Sequence, residues 1–241
     1  MQRLDEIAAD YHANEQIPDM HIENRCQEYF ITLLSKYIDR ASRVLELGYG
    51  DGLVTNALLP MDCDLTLIEG SRVLAELARE KHPGLACELT LFEDFSTDRP
   101  FDVVLASHVL EHVDHPVKTL KQISTWLRPG GKLLIAVPNR DSIHRQLAVR
   151  MGLQAQLDTL SKRDQVVGHQ RVYSFETLES DVHSAGLQVV HSTGYFLKVL
   201  PNSMMLDYPA DLLKSLNEIS PSIPKHLLAN ILVVAEKRDT P

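Results

Sequence analysis

From Val44 to Gly52 the chain reads Val-Leu-Glu-Leu-Gly-Tyr-Gly-Asp-Gly: an apolar run carries Glu46 into glycines at the alternate positions 48, 50 and 52. Glycine has no Cβ, so it reaches positive φ freely and leaves bare main chain for a ligand to lie against. The pattern predicts a strand, a tight turn and a helix, with the turn shaped for a nucleotide-like ligand. The dinucleotide motif G-x-G-x-x-G uses the same backbone device, but here the third glycine falls one residue early for it. The rest of the chain has to decide between them.

Strand-like runs recur at Arg43–Leu47, Asp64–Glu69, Ala86–Leu91, Phe101–Ser107 and Lys132–Val137. Between them, Leu53–Leu59 follows the glycine turn, Arg72–His82 stops at Pro83-Gly84, and Pro116–Leu127 opens on proline and closes at Pro129-Gly130-Gly131. This alternation predicts a parallel sheet covered by crossover helices, an α/β fold built as one domain. Residues 1–40 are expected to form a helical cap beside the ligand cleft, because Ile22, Cys26, Tyr29, Phe30, Leu33, Leu34 and Tyr37 recur at spacings of three and four. Residues 41–138 form the core, and residues 139–173 an inserted lid with a partial apolar stripe of Ile143, Leu147, Met151 and Leu157. Residues 174–241 complete the sheet through the β-rich runs Gly186–Phe196 and Leu227–Lys237, with a substrate-covering insertion at 198–226.

The formal charge of −9 repels phosphate backbones, so a nucleic-acid substrate is disfavoured without a local basic patch. Cys26, Cys63 and Cys87 are too few and too scattered for a disulfide framework or a C-x-x-C site, and are expected as free buried thiols in a reducing compartment. With no long apolar run and no apolar stretch at the N-terminus, the expected location is the cytoplasm.

Four motifs occur in order: Leu45 to Gly52, then Leu67-Ile68-Glu69, then Phe101-Asp102-Val103-Val104 through Leu110-Glu111-His112-Val113, then Leu127-Arg128-Pro129-Gly130-Gly131. Together they resemble the class I S-adenosylmethionine-dependent methyltransferases over roughly residues 40 to 140. The resemblance implies a Rossmann-like, seven-stranded, mostly parallel sheet with helices on both faces and an antiparallel last strand. It also implies a cofactor at the carboxyl edge of the strands. Glu46, Gly48, Gly50 and Gly52 would approach the methionine and ribose parts of the cofactor, and Glu69 would accept hydrogen bonds from the ribose hydroxyls. The family often places Asp at the end of the third strand, whereas this chain has Leu91-Phe92-Glu93-Asp94. Adenine recognition is therefore open between the Phe92 main chain or ring and a Glu93 or Asp94 carboxylate. Ser107 and His108 would lie next to the transferable methyl.

His108, Glu111 and His112 stand at i, i+3 and i+4, which share one face of a helical turn. Two imidazoles and a carboxylate can ligate a divalent cation, with His169 as a fourth ligand if the lid folds back over the strand tip. The cluster is similar to the E-x-x-E-H plus distant His pattern of small-RNA 2′-O-methyltransferases and ubiquinone-pathway O-methyltransferases, with His108 replacing the first Glu. Extra nitrogen shifts preference from Mg²⁺ toward Zn²⁺, Mn²⁺ or Fe²⁺. The metal-free alternative leaves Glu111 capping a turn, with His108 or His112 as the catalytic base.

The expected activity is methyl transfer to a hydroxyl of a small metabolite, such as a sugar, a nucleotide-linked compound or a natural-product intermediate. The alternatives are an amine N-methyltransferase, an RNA 2′-O-methyltransferase and a cofactor-binding protein without turnover. Over 139–171, Arg140, Arg145, Arg150, Lys162, Arg163 and Arg171 outnumber Asp141, Asp158 and Asp164, a pattern suited either to an anionic acceptor or to a solvated helix face. Tyr173, Tyr195, Phe196, Lys198, Asn202 and Tyr208 are candidate acceptor contacts or packing residues.

Overall fold

The computed structural model describes residues 2–9 and 19–238, so part of the expected 1–40 cap lies outside the described residues. Strands β1 (Arg43–Leu47), β2 (Asp64–Glu69), β3 (Ala86–Leu89), β4 (Phe101–Ser107), β5 (Leu127–Pro138), β6 (Leu187–Tyr195) and β7 (Asn230–Lys237) form a seven-stranded sheet in the order β3-β2-β1-β4-β5-β7-β6. All neighbours from β3 to β5 are parallel, while β7 runs antiparallel to both β5 and β6. This is the sheet expected from the resemblance. Strand order reverses between β1 and β4, and the crevice beyond their carboxyl ends is where such sheets take ligands.

Side chains alternate across a strand, and the two faces of β1 illustrate the result. Leu45 and Leu47 join Val104, Phe101 and Trp126 in one buried cluster, whereas Val44 joins Val103, Leu105 and Tyr195 in the other. Helices α5 (Pro116–Trp126) and α8 (Phe175–Ser184) cover the first face through Leu120, Ile123, Leu178 and Val182. Helix α2 (Met20–Leu34) covers the second through Ile22, Cys26, Phe30 and Leu34, the inner part of the stripe expected in the N-terminal segment. Burying side chains of this size contributes roughly 1.5–3 kcal/mol each. Cys26 is buried, Cys63 and Cys87 are half-buried, and all three are free thiols.

Helices α3 (Leu53–Leu58) and α4 (Arg72–Lys81) fill the crossovers, and α1 (Gln2–Ile7) docks at the start of α4, where the Ser71 hydroxyl donates to Asp5 Oδ1 at 2.8 Å. The insertion carries α6 (Ile143–Arg150) and α7 (Lys162–Val166), and leaves and rejoins the sheet at one point, a parallel bridge between Asn139 and Tyr173. The segment after β6 carries α9 (Ala210–Ile219), which packs Leu213 into the core beneath α2.

Two local expectations differ from the structure. Leu127, expected to end a helix, instead pairs with Phe101 and begins β5, because the neighbouring strand β4 offers hydrogen bonds that the Pro129-Gly130-Gly131 stretch cannot find in a helix. The buried residues of α6 and its cap are Ser142, Arg145 and Ala148, while Met151 of the expected apolar stripe is 49% exposed. Among the described residues, no helix is long and apolar enough to cross a membrane.

Candidate active site

A cavity of about 550 Å³ opens at the carboxyl ends of β1, β2 and β4. Gly48, Gly50 and Gly52 hold φ values of +80°, +57° and +80°, which disfavour any residue with a Cβ. A Cβ on Gly50 would meet nothing within 4 Å, whereas one on Gly52 would strike the Tyr49 ring. Gly50 thus leaves open main chain along the cavity, and Gly52 lets Tyr49 turn back to set its hydroxyl 3.1 Å from His82 Nε2. Glu69 braces the turn: one carboxylate oxygen accepts from Tyr49 N–H and the other from Ser71 N–H, each at 2.7 Å. Burial raises the Glu69 pKa, opposed by these backbone donors, and each oxygen keeps a second lone pair.

Glu46 is 3% exposed and accepts from the Thr55 hydroxyl at 2.7 Å. Burial pushes its pKa up to about 8, against the Thr55 hydrogen bond, with the neighbouring Asp51 and Glu69 carboxylates adding to the rise. Phe92 and the exposed Glu93 line the same cavity, but Asp94 is not among its lining residues. Ser107 lines it from the tip of β4, with its buried Oγ making no hydrogen bond among the described residues.

His108 follows β4 at φ +55°, a strained conformation for a non-glycine residue. Its N–H donates to Ala136 O at 2.8 Å, and its Nδ1 lies 2.9 Å from Glu111 Oε1. Burial disfavours His108 protonation, yet the Glu111 carboxylate more than offsets this and raises the His108 pKa. Burial likewise opposes the Glu111 charge, and His108 brings its pKa below the ordinary value. Ligand atoms of Glu111, His112 and His169 all lie within 4.8 Å of one another. His108 is outside that trio, tied to Glu111 from the side. Glu111 Oε2 is buried and has no hydrogen-bond partner among the described residues, and the His112 and His169 rings meet edge-on at 4.7 Å between centroids.

His169 reaches this place because the residues after it are stapled to the loop that follows β4. Gln170 N–H donates to Glu111 O at 2.8 Å, Gln170 Nε2 to His112 O at 2.6 Å, and Arg171 Nη1 to Leu110 O at 2.8 Å. Behind His169, Asp164 Oδ1 lies 3.1 Å from Nδ1, and Asp164 Oδ2 accepts from Arg145 at 2.8 Å.

Of the basic residues in the insertion, Arg145 and Arg163 line the cavity, and both have acidic partners: Asp164 for the first, Asp19 and Glu23 for the second. Arg140 pairs with Asp141, Arg171 serves the main chain, and Arg150 and Lys162 are exposed. Among the candidate acceptor contacts, Phe196 and Lys198 line the cavity. Tyr195 stacks on Phe30, Tyr173 donates to Asp181 at 3.4 Å, Tyr208 packs on the core, and Asn202 donates to Asp19 and Glu23. Glu23, Gln27, His144 and Asn230 also line the cavity and were not anticipated. Glu23 and Gln27 could have been suspected, since each polar residue stands beside the apolar stripe of α2 at a spacing of four.

Residues 19–192 match the family model described as a methyltransferase domain. Over 114 residues the chain is 31% identical to a ubiquinone biosynthesis O-methyltransferase of Xanthomonas euvesicatoria, a match covering 45% of this chain and 48% of that protein. The chain spans about half the length of the curated relatives it matches. In fold it is similar to a SAM-dependent methyltransferase of Thermotoga maritima described as a possible histamine N-methyltransferase, with a TM-score of 0.70 at 18% identity over 98% of this chain and 100% of that one. It is also similar to the Burkholderia thailandensis 1,6-didemethyltoxoflavin-N1-methyltransferase, solved with its substrate and S-adenosylhomocysteine, with a TM-score of 0.56 at 18% identity over 89% and 79% of the two chains. The sheet order, the glycine turn and the family match agree, and the chain belongs to the methyltransferase-domain family.

Proposed function

We propose that the protein transfers a methyl group from S-adenosylmethionine to a hydroxyl of a small metabolite, assisted by a divalent cation held by Glu111, His112 and His169. The observation carrying this reading is the convergence of those three ligand atoms within 4.8 Å beside the cavity that the glycine turn lines. The 31% identity to a ubiquinone biosynthesis O-methyltransferase favours oxygen as the methylated atom.

The donor set fits a cation. Glu111 Oε2 is a buried acceptor without a donor among the described residues, and Asp164 orients His169 as a carboxylate orients a ligating imidazole. Two nitrogens and one oxygen suit Zn²⁺, Mn²⁺ or Fe²⁺ better than Mg²⁺. Such a cation lowers the pKa of a hydroxyl, which is otherwise a poor nucleophile at neutral pH.

The cofactor-facing residues fit a cationic nucleoside. Gly48 and Gly50 leave bare backbone, Glu46 is a buried acid suited to a positive charge, Glu69 can take ribose hydroxyls, and Phe92 and Glu93 line the cavity where they would meet the adenine. Ser107 offers its unpartnered hydroxyl at the strand tip. S-adenosylmethionine supplies a methyl group activated by its sulfonium. The protein's contribution is to hold acceptor and donor in line and to exclude water, with residues 139–173 as the lid.

A second reading follows from the 2.9 Å contact between His108 Nδ1 and Glu111 Oε1: without metal, this pair would serve as a carboxylate-oriented base. Elemental mass spectrometry on untagged protein, before and after chelation, separates the two, with cofactor binding measured on the same samples. The expected result is one transition metal per chain, removed by the chelator together with methyl transfer to hydroxyl acceptors. Protein that binds cofactor but takes up no divalent ion on re-addition would retire the metal and leave the base.

A further inference from the structure

The cofactor and metal assignments leave part of the cavity lining unused: Glu23 of α2, His144 and Arg145 of α6, Arg163 of α7, and Lys198 beyond β6. This part mixes signs, but its charges are unequally committed. Arg145 is 6% exposed and its guanidinium is taken up by Asp164 Oδ2 and by the Leu157 and Thr159 carbonyls. Arg163 pairs with Asp19 and Glu23, and Glu23 Oε1 also accepts from Asn202 Nδ2 at 2.6 Å. Lys198 differs: among the described residues, its ammonium makes no hydrogen bond and no ion pair. Its main chain is fixed, with Lys198 N–H donating to Phe196 O at 3.1 Å. Beside it, His144 Nδ1 is buried with no hydrogen-bond partner among the described residues.

Burial disfavours the Lys198 charge, the Glu23 carboxylate supports it only through space, and the buried His144 nitrogen has no partner among the described residues, so both groups are left short of a direct acceptor or donor. A ligand oxyanion reaching both would accept from the ammonium and from an imidazole N–H. The positive charges of Lys198 and Arg145 add to burial in holding His144 well below its ordinary pKa, so it meets the ligand as a neutral imidazole. Glu23 and Asp164 already have donors, so neither spends its hydrogen bonds on the Lys198 ammonium.

We propose that Lys198 and His144 form an anion-recognition subsite, so that the acceptor is a small molecule carrying a carboxylate or a phosphate in addition to the group that is methylated. This rests on the methyltransferase reading of the same cavity and extends it to the substrate class. It assigns to Lys198 a role that the cofactor and the metal trio do not use. It also separates Lys198 from Arg145 and Arg163, whose partners give them structural roles.

The test is direct binding, without turnover, to protein saturated with S-adenosylhomocysteine. The probes are anion and neutral pairs of matched shape: 3,4-dihydroxybenzoate against 3,4-dihydroxybenzamide, and phenyl phosphate against phenol. The proposal predicts that at least one anion binds about tenfold or more tightly than its neutral partner, the size expected of a charge-assisted hydrogen bond. Which pair shows the preference distinguishes carboxylate from phosphate. Lys198→Met should abolish the preference, Lys198→Arg should restore most of it, and His144→Phe should reduce it, all with S-adenosylhomocysteine affinity retained. No preference in the wild-type protein, including no binding of any probe, would overturn the subsite, as would a preference untouched in a folded Lys198→Met protein. Failure of the wild-type protein to bind S-adenosylhomocysteine would instead count against the methyltransferase reading, and the anion comparison can still be made on cofactor-free protein.

Discussion

Asp164 Oδ1 lies 3.1 Å from His169 Nδ1, so the imidazole facing Glu111 is held from behind by a carboxylate that also anchors Arg145. Burial works against the Asp164 charge, but the His169 hydrogen bond and the Arg145 guanidinium hold its pKa far below the usual carboxylate range. Asp164→Ala leaves Arg145 as a buried charge without its partner and should destabilise the fold by about 3–5 kcal/mol. In Asp164→Asn, which keeps the shape, metal affinity should fall by about 10–100-fold. Because the folded pKa is depressed, the Asp164 contribution to stability is complete above the unfolded carboxylate pKa and fades as pH falls below about 4. Urea unfolding at several pH values, with metal titration of the Asn variant, checks both statements.

Glu46 predicts a pH dependence of cofactor binding. Burial raises its pKa to about 8, so below that pH the cofactor-free protein holds a neutral acid here. A cationic sulfonium favours the carboxylate, so binding should release a proton and affinity should rise with pH until about 8. Calorimetry in two buffers of different ionisation enthalpy reads that proton directly. A proton count unchanged in Glu46→Gln would assign the release elsewhere.

The glycine turn separates stability from binding. Gly50→Ala places a Cβ in open space at φ +57°, so stability should fall only by the left-handed strain of about 1–2 kcal/mol. Cofactor affinity should drop about tenfold or more, since the added methyl occupies cavity volume. Gly52→Ala adds a clash with the buried Tyr49 ring and should lose a further 1–3 kcal/mol or so through overpacking. Thermal unfolding and S-adenosylhomocysteine titration of both variants give the comparison.

Glu111→Ala and His169→Ala should each abolish metal loading while leaving cofactor binding largely intact, because neither belongs to the glycine turn or its Glu69 brace. Loss of cofactor binding in both would show instead that the trio supports the loop after β4. Elemental analysis and cofactor titration on the same preparations decide this.

The core strands and the glycine turn were legible in the sequence because they are local patterns. The apolar runs of β1, β2 and β4 are long enough to identify themselves, and Gly48, Gly50 and Gly52 state their backbone conformations by residue type. Glu69 is expected at the ribose from the resemblance and from its place at the end of a strand, and the structure sets it at the end of β2 among the cavity-lining residues. Helix α6 was misjudged for the opposite reason. Its apolar residues suggested one buried face, but Arg145 points inward to Asp164, 19 positions later, while Met151 just after the helix is exposed.

The chain's periodicity and its glycines therefore determined the fold class and the left-handed turn at Gly48, Gly50 and Gly52 that borders the cavity, since backbone geometry and burial act over a few residues. Only the tertiary structure decided which histidines meet. The spacing of His108, Glu111 and His112 put them on one face, but the folded loop ties His108 to Glu111 and brings His169 in, held by Gln170 and Arg171 across 58 to 61 positions of chain. It likewise decided that Lys198 alone among the cavity's lysines and arginines has no ion-pair partner among the described residues. Ion pairing depends on distances between segments that the covalent order leaves free, and packing alone sets them.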